Sequence, residues 1–157
     1  MSIEDSYNFR RIHDGLTTSG LVSVAQLSDL RGEGYDAVIN LLPDSFEHAV
    51  TDEARILLDQ GLDYVYIPVD FAAPTHADVE AFADAMDART GQKVHVHCAA
   101  NYRVSAFYSI YAVRKGLCTE DEANQLVQDV WDPADHPAWT EFITAERTQP
   151  VRNVNPR

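Results

Sequence analysis

Val94-His95-Val96-His97-Cys98-Ala99-Ala100-Asn101-Tyr102-Arg103-Val104-Ser105 is the stretch of this 157-residue chain on which the reading of the fold turns. The run from Val94 to Cys98 predicts a strand, and the largely apolar run from Val104 to Val113 predicts a helix. Between them, four residues separate Cys98 from Arg103. A strand, a tight loop and a helix in this order let backbone N–H groups and a helix N-terminus converge on an oxyanion. The same field favours a thiolate: a Cys so placed, near an Arg, can have its pKa lowered from about 8.5 to roughly 3.5–7.5. Arg103 offers a planar fork that can hold two phosphoryl oxygens. The expected anion cradle is Ala99, Ala100, Asn101, Tyr102 and Arg103, with Cys98 as nucleophile. The loop contains no Gly, and a loop that folds its amides inward needs some residue at positive φ; Asn101 tolerates that conformation better than most non-Gly residues, so its presence is compatible with a formed cradle.

Outward from the loop, strands and helices alternate with no internal repeat, which predicts an α/β fold. Ser23 with Gln26 is a capping box for a helix to about Arg31, and the first core strand is Asp36 to Leu42. Thr51 is expected to cap a helix from Asp52 to Gln60, stopped by Gly61. A strand follows from Asp63 to Val69. After Pro74, the apolar spacing of Val79, Phe82, Ala83 and Met86 predicts a helix to about Arg89. Beyond the Val104 helix, further helices are expected from about Glu120 to Val130 and from His136-Pro137 through Ala145, with residues 148–157 a loose tail. Trp131 and Trp139 either pack the Pro-rich turn between them or wall a substrate pocket. Right-handed crossovers make the four- to five-stranded sheet largely parallel, flanked by helices, with the cysteine loop at the carboxyl edge of a strand.

Composition narrows the function classes. The length predicts a single domain over residues 1–157 with one core, and 45% hydrophobic with 24% charged residues is an ordinary globular balance. No run approaches a membrane span, and Met1 to Arg11 does not read as a signal peptide, so the expectation is a cytoplasmic protein. Cys98 and Cys118 are too few for a disulfide framework. A formal net charge of −13 with only two lysines, Lys93 and Lys115, argues against nucleic acid and against polyphosphorylated lipid as partners. A small or singly phosphorylated substrate meets less repulsion. His95 and His97 share one strand face, but no third ligand is locally spaced for zinc, so no metal and no cofactor is expected.

The His97-Cys98 pair, the loop and Arg103 resemble the signature of the Cys-based protein phosphatases, shortened by one loop residue, with the Ser two positions after the Arg at Ser105. That shortened loop is found in the beta-lactamase-hydrolase-like phosphatase family of bacterial proteins. Three further segments carry the resemblance: Ser19-Gly20, Tyr35 to Asp44, and Gly61 to Val69. With the loop they span roughly residues 19 to 132. The resemblance implies a phosphomonoester hydrolase of the tyrosine or dual-specificity kind, working through a cysteinyl-phosphate. It implies His97 ordering the loop through hydrogen bonds and a general acid on a loop after an earlier strand. Asp70, 28 residues before Cys98 and directly after an apolar segment, is the first candidate, and Asp44 the second. Ser105 can hydrogen-bond the thiolate or simply satisfy local backbone groups. The loop also resembles that of the rhodanese sulfurtransferases, where the Cys would carry a persulfide. A phospho-residue binding module with a disabled loop is the non-enzymatic alternative. A sulfurtransferase needs no acid to protonate a leaving oxygen, whereas a phosphatase does.

Overall fold

Our computed structural model describes residues 1–150. Five short strands form one sheet: Arg10–His13 (β1), Leu16–Ser19 (β2), Ala37–Asn40 (β3), Asp63–Tyr66 (β4) and Val94–His97 (β5), in the order β1-β2-β5-β3-β4. β5 lies between β2 and β3 and runs parallel to both, and β4 extends the parallel set, while β1 is an antiparallel edge. The largely parallel α/β sheet expected from the alternation is therefore present. Central position explains the composition of β5: Val94, His95, Val96 and His97 are all buried, as both faces of an inner parallel strand require.

Contacts divide the chain into two compact units, Met1–Val104 and a second beginning at Ser105. In the first, Val24–Ser28 (α1), Glu53–Asp59 (α2) and His76–Asp87 (α3) connect the strands. The Ser23/Gln26 capping box forms as expected, and Thr75 with Asp78 makes another. Thr51 does not cap α2; the cap position is Asp52, whose side chain makes no cap bond. Leu27, Leu30, Tyr35, Val38, Leu57 and Leu62 pack as one buried cluster with Ile3 and Val22. The chain enters Tyr102–Arg114 (α4) two residues earlier than the apolar run predicts. In the second unit, Glu120–Gln128 (α5) and Pro137–Arg147 (α6) follow. There Trp131 and Trp139 are buried and meet edge to face at 6.0 Å, and Trp131 also lies 5.5 Å from the His136 ring. Of the two roles open to these Trp residues, packing of the turn is the one observed. Of the expected loose tail, residues 151–157 lie outside the described residues, and Thr148 caps α6.

β2 has no hydrophobic alternation, and the sequence reading assigns no strand there. All four of its residues are buried, because their polar groups find partners far away in sequence. Thr17 Oγ1 is 2.7 Å from the Tyr35 hydroxyl and 2.8 Å from His95 Nδ1; Ser19 Oγ is 2.8 Å from His95 Nε2 and donates to the Gly20 carbonyl at 3.0 Å. We assign the protons from this chain of contacts. Ser19 spends its one O–H on Gly20, so His95 Nε2–H donates to Ser19, Thr17 donates to Nδ1, and Tyr35 donates to Thr17. Every ring nitrogen is satisfied by a neutral imidazole. Burial, reinforced by the nearby His97, accordingly holds the His95 pKa well below the ordinary histidine range.

An acid-stability prediction arises here. The unfolded chain protonates His95 near pH 6.5 and the folded chain does not, so below that pH the unfolded state binds more protons. Stability tied to neutral His95 is complete above about pH 6.5 and is lost as pH falls, at about 1.4 kcal/mol per pH unit. Urea midpoints of the protein between pH 7.5 and 5.5 should fall more steeply than those of His95→Gln. Parallel slopes would contradict the assignment.

Candidate active site

The loop leaves β5 at its carboxyl end, where Ser19, His97 and Asn40 stand in register on three neighbouring strands. Its carbonyls are tied to the body of the first unit. Leu21 N–H donates to Ala99 O at 2.9 Å, and Asn8 Nδ2 donates to Ala100 O at 2.9 Å. In a trans peptide the N–H points opposite to the C=O of the same unit. The Ala100 and Asn101 amides are therefore directed away from residues 21 and 8, as a cradle needs. Gly20 makes this tether possible: a Cβ there would lie 2.5 Å from Ala99 O and 2.8 Å from Ala100 Cα. Asn101 adopts φ of 68°, the left-handed conformation that Asn tolerates. Its side chain, fully buried, donates to Asn8 O at 2.9 Å and to Thr18 Oγ1 at 3.0 Å. Asn8 and Asn101 thus clamp each other, a device the sequence reading missed because the two lie 93 residues apart.

Cys98 is buried at the start of the loop, its N–H directed to Ser19 O at 3.3 Å. Arg103 opens α4 and is 9% exposed, with its guanidinium 5.3 Å from the centre of the Phe71 ring. Its Nε has no hydrogen-bond partner among the described residues, an unmet donor in a buried place. Arg103 borders an open cavity of about 720 Å³ that is also lined by Asp70, Phe71, Phe46, Glu47 and Pro43. Asp70 and Arg103 therefore share one depression. Asp70 Oδ1 also accepts from Ala72 N–H at 2.9 Å, so the residue both shapes its turn and faces the cavity. Asp44 is exposed and is not among the lining residues; its N–H donates to the Tyr66 hydroxyl at 2.7 Å.

Two expectations are met differently. The His97 ring does not bond to the loop. Its Nε2 lies 2.5 Å from Glu53 Oε2, while Nδ1 has no partner among the described residues. A buried carboxylate competes for the imidazole more strongly than a backbone amide does. Ser105 belongs to the second unit, where its hydroxyl accepts from the Trp131 indole N–H at 3.0 Å. Glu53 and Glu47 were not singled out in the sequence: an acid in the first turn of a helix, or in a polar loop, carries no local sign of a buried partner or a shared cavity. Among the described residues no cluster of three or more His, Cys, Asp or Glu could hold a metal, and no helix is long and apolar enough to cross a membrane.

With this geometry in view, the family model for the beta-lactamase hydrolase-like protein, phosphatase-like domain, matches residues 8–114, which include β1, β2 and the whole loop. The beta-lactamase hydrolase-like protein of Agrobacterium fabrum is 33% identical over 101 residues, and that of Xylella fastidiosa strain Temecula1 is 31% identical over 118. These stretches are 62% and 73% of this chain but 23% and 27% of the relatives, so the chain spans about a quarter of their length. A crystal structure of a candidate phosphatase from Shewanella putrefaciens CN-32 superposes with a TM-score of 0.85 at 38% identity, covering 96% of this chain and 95% of that one. P. aeruginosa TpbA shares the fold at a TM-score of 0.72 and 18% identity, over 92% and 88% of the two chains. The sheet, the loop at its carboxyl edge and these matches agree, and the chain belongs to the beta-lactamase hydrolase-like protein, phosphatase-like domain family.

Proposed function

We propose that the chain is a Cys-dependent phosphomonoester hydrolase. The observation that carries the reading is a buried Arg103 with an unmet donor, bordering the same cavity as Asp70 and reached from Cys98 by a loop whose Ala100 and Asn101 amides point away from residues 21 and 8. Cys98 attacks phosphorus in line. Arg103 and the amides from Ala99 to Arg103 stabilise the equatorial oxygens as charge spreads over them, and Asp70 protonates the leaving oxygen. Asp70 or a second carboxylate then activates water to release phosphate from sulfur; Glu47 lines the cavity and is the other carboxylate there. Phe46 and Phe71 line the same cavity, which suits an aryl or otherwise apolar leaving group. TpbA has been crystallised with phosphotyrosine, and a monoester of that class is the substrate proposed here. Two acids in the cavity and a net charge of −13 disfavour polyanionic substrates.

The rival reading is a sulfurtransferase in which Cys98 carries a persulfide: a loop of four residues between Cys and the basic position accommodates a single sulfur as well as a phosphate, so its length alone favours neither. One pair of assays separates the two. The protein is incubated with an aryl phosphate and, in parallel, with thiosulfate plus cyanide. Phosphate release without thiocyanate is the expected result. Thiocyanate without phosphate release would overturn the phosphatase reading in favour of the sulfurtransferase. Tight phosphate binding with neither product would leave a binding module.

A further inference from the structure

Glu53 is a buried acid that the proposed chemistry does not use. It is the first residue of α2 and is 4% exposed, in a place where a carboxylate is costly unless charged or polar donors surround it. Two donors are present. His97 Nε2 lies 2.5 Å from Oε2, and Asn40 Nδ2 lies 3.4 Å from Oε1. The Asn40 amide is held the right way round because its Oδ1 accepts from Leu42 N–H at 2.8 Å, while Nδ2 also reaches the Tyr64 hydroxyl at 3.1 Å. Tyr64 stays protonated, its pKa pushed up by burial and then by the Glu53 charge. These contacts make Glu53 the acceptor and His97 Nε2–H the donor.

We propose that Glu53 is a positioning residue for the cysteine loop. Its carboxylate fixes the His97 imidazole in one tautomer and one orientation, and so fixes the end of β5 from which Cys98 leaves the sheet. Asn40 and His97 are register partners on β3 and β5, and Leu41 N–H donates to His97 O at 2.9 Å. The backbone at residue 97 is thus held from β3, while the ring is held from α2. The other side is closed as well, since the neutral His95 ring stacks 6.2 Å from His97 and anchors β2. Without Glu53 the ring loses its only hydrogen bond among the described residues, and either nitrogen can then carry the proton. This inference rests on Cys98 being the reactive thiol.

The test begins with the unaltered protein and then uses Glu53→Gln, which keeps the shape and removes the charge. Long-range proton–nitrogen NMR of the protein should show His97 with its proton on Nε2, in a downfield resonance typical of a short bond to a carboxylate. A proton on Nδ1 instead overturns the proposal without any variant. In Glu53→Gln that resonance should disappear, carboxymethylation of Cys98 by iodoacetate should slow about tenfold, and kcat for an aryl phosphate should fall roughly 10- to 100-fold with KM within about twofold. Cys118 serves as the internal control, because it lies outside this network and its labelling should not change. A lost resonance with Cys98 labelling unchanged overturns the proposal. Slowed labelling in a protein that never hydrolyses aryl phosphate upholds Glu53 and instead removes the phosphatase reading.

Discussion

Cys98→Ser should lower hydrolysis of an aryl phosphate by roughly 10⁴-fold or more while leaving inorganic phosphate bound nearly as well as before. The substitution exchanges one atom at a buried position and keeps the loop tethers, which run through Ala99 O, Ala100 O and the Asn101 side chain. What it removes is the sulfur, the nucleophile of the proposed mechanism. Loss of a nucleophile removes the covalent route entirely, so the residual rate reflects binding and electrostatic stabilisation alone. Rapid quenching of the unaltered protein with substrate, followed by mass spectrometry, should find one phosphoryl group on Cys98 and none on Cys118. The thiol of Cys118 is held in its protonated form by burial, reinforced by Glu122. A Ser variant that keeps full turnover rules out the covalent mechanism. A single added sulfur on Cys98, in place of a phosphoryl group, assigns the loop to persulfide chemistry.

How far the sequence reached depends on whether a residue's partner was near it in the chain. β3, β4 and β5 were legible because apolar runs bounded by turn residues state their own burial, and the helices from α1 to α6 announced themselves through spacing and caps such as Ser23 with Gln26. The cysteine loop was legible for the same reason: strand, loop and helix are contiguous, and Asn101 is a residue that tolerates the positive φ it adopts. β2 was not. Leu16-Thr17-Thr18-Ser19 shows no alternation to mark a strand, and its hydrogen bonds come from His95, Tyr35 and Asn101, the last 83 residues from Thr18. The same blindness hid Glu53, whose partner His97 is 44 residues away. His97 itself was identified, but its ring was expected to order the loop directly, when it turns to α2 instead. Buried polar contacts between distant segments leave no periodic trace, and in this protein they hold the strand ends around the loop.

Asp70→Asn should separate substrates by their leaving groups. The side chain lines the cavity with Arg103, and its Oδ1 accepts from Ala72 N–H, a bond that the Asn carbonyl oxygen can still make. The turn should therefore survive, and the loop with Cys98 and Arg103 is untouched. What disappears is a proton donor for the departing oxygen. For an alkyl or phosphotyrosine-like ester the rate should fall by about 10²–10⁴, the usual worth of a positioned acid. An ester whose leaving oxygen is already stable as an anion should lose far less, because little proton transfer is needed in its transition state. KM should change little for both, since the acid acts on kcat rather than on binding. The basic limb of the pH–rate profile should also flatten, because that limb reports a group that must keep its proton. Asp44→Asn is the matched control: Asp44 is exposed and outside the cavity lining, so its loss should leave both substrates alike. The reverse pattern moves the acid to Asp44. If neither variant alters leaving-group sensitivity, neither Asp70 nor Asp44 protonates the leaving oxygen; the mechanism drawn on Asp70 then fails, and the persulfide chemistry, which needs no acid, gains as the account of Cys98.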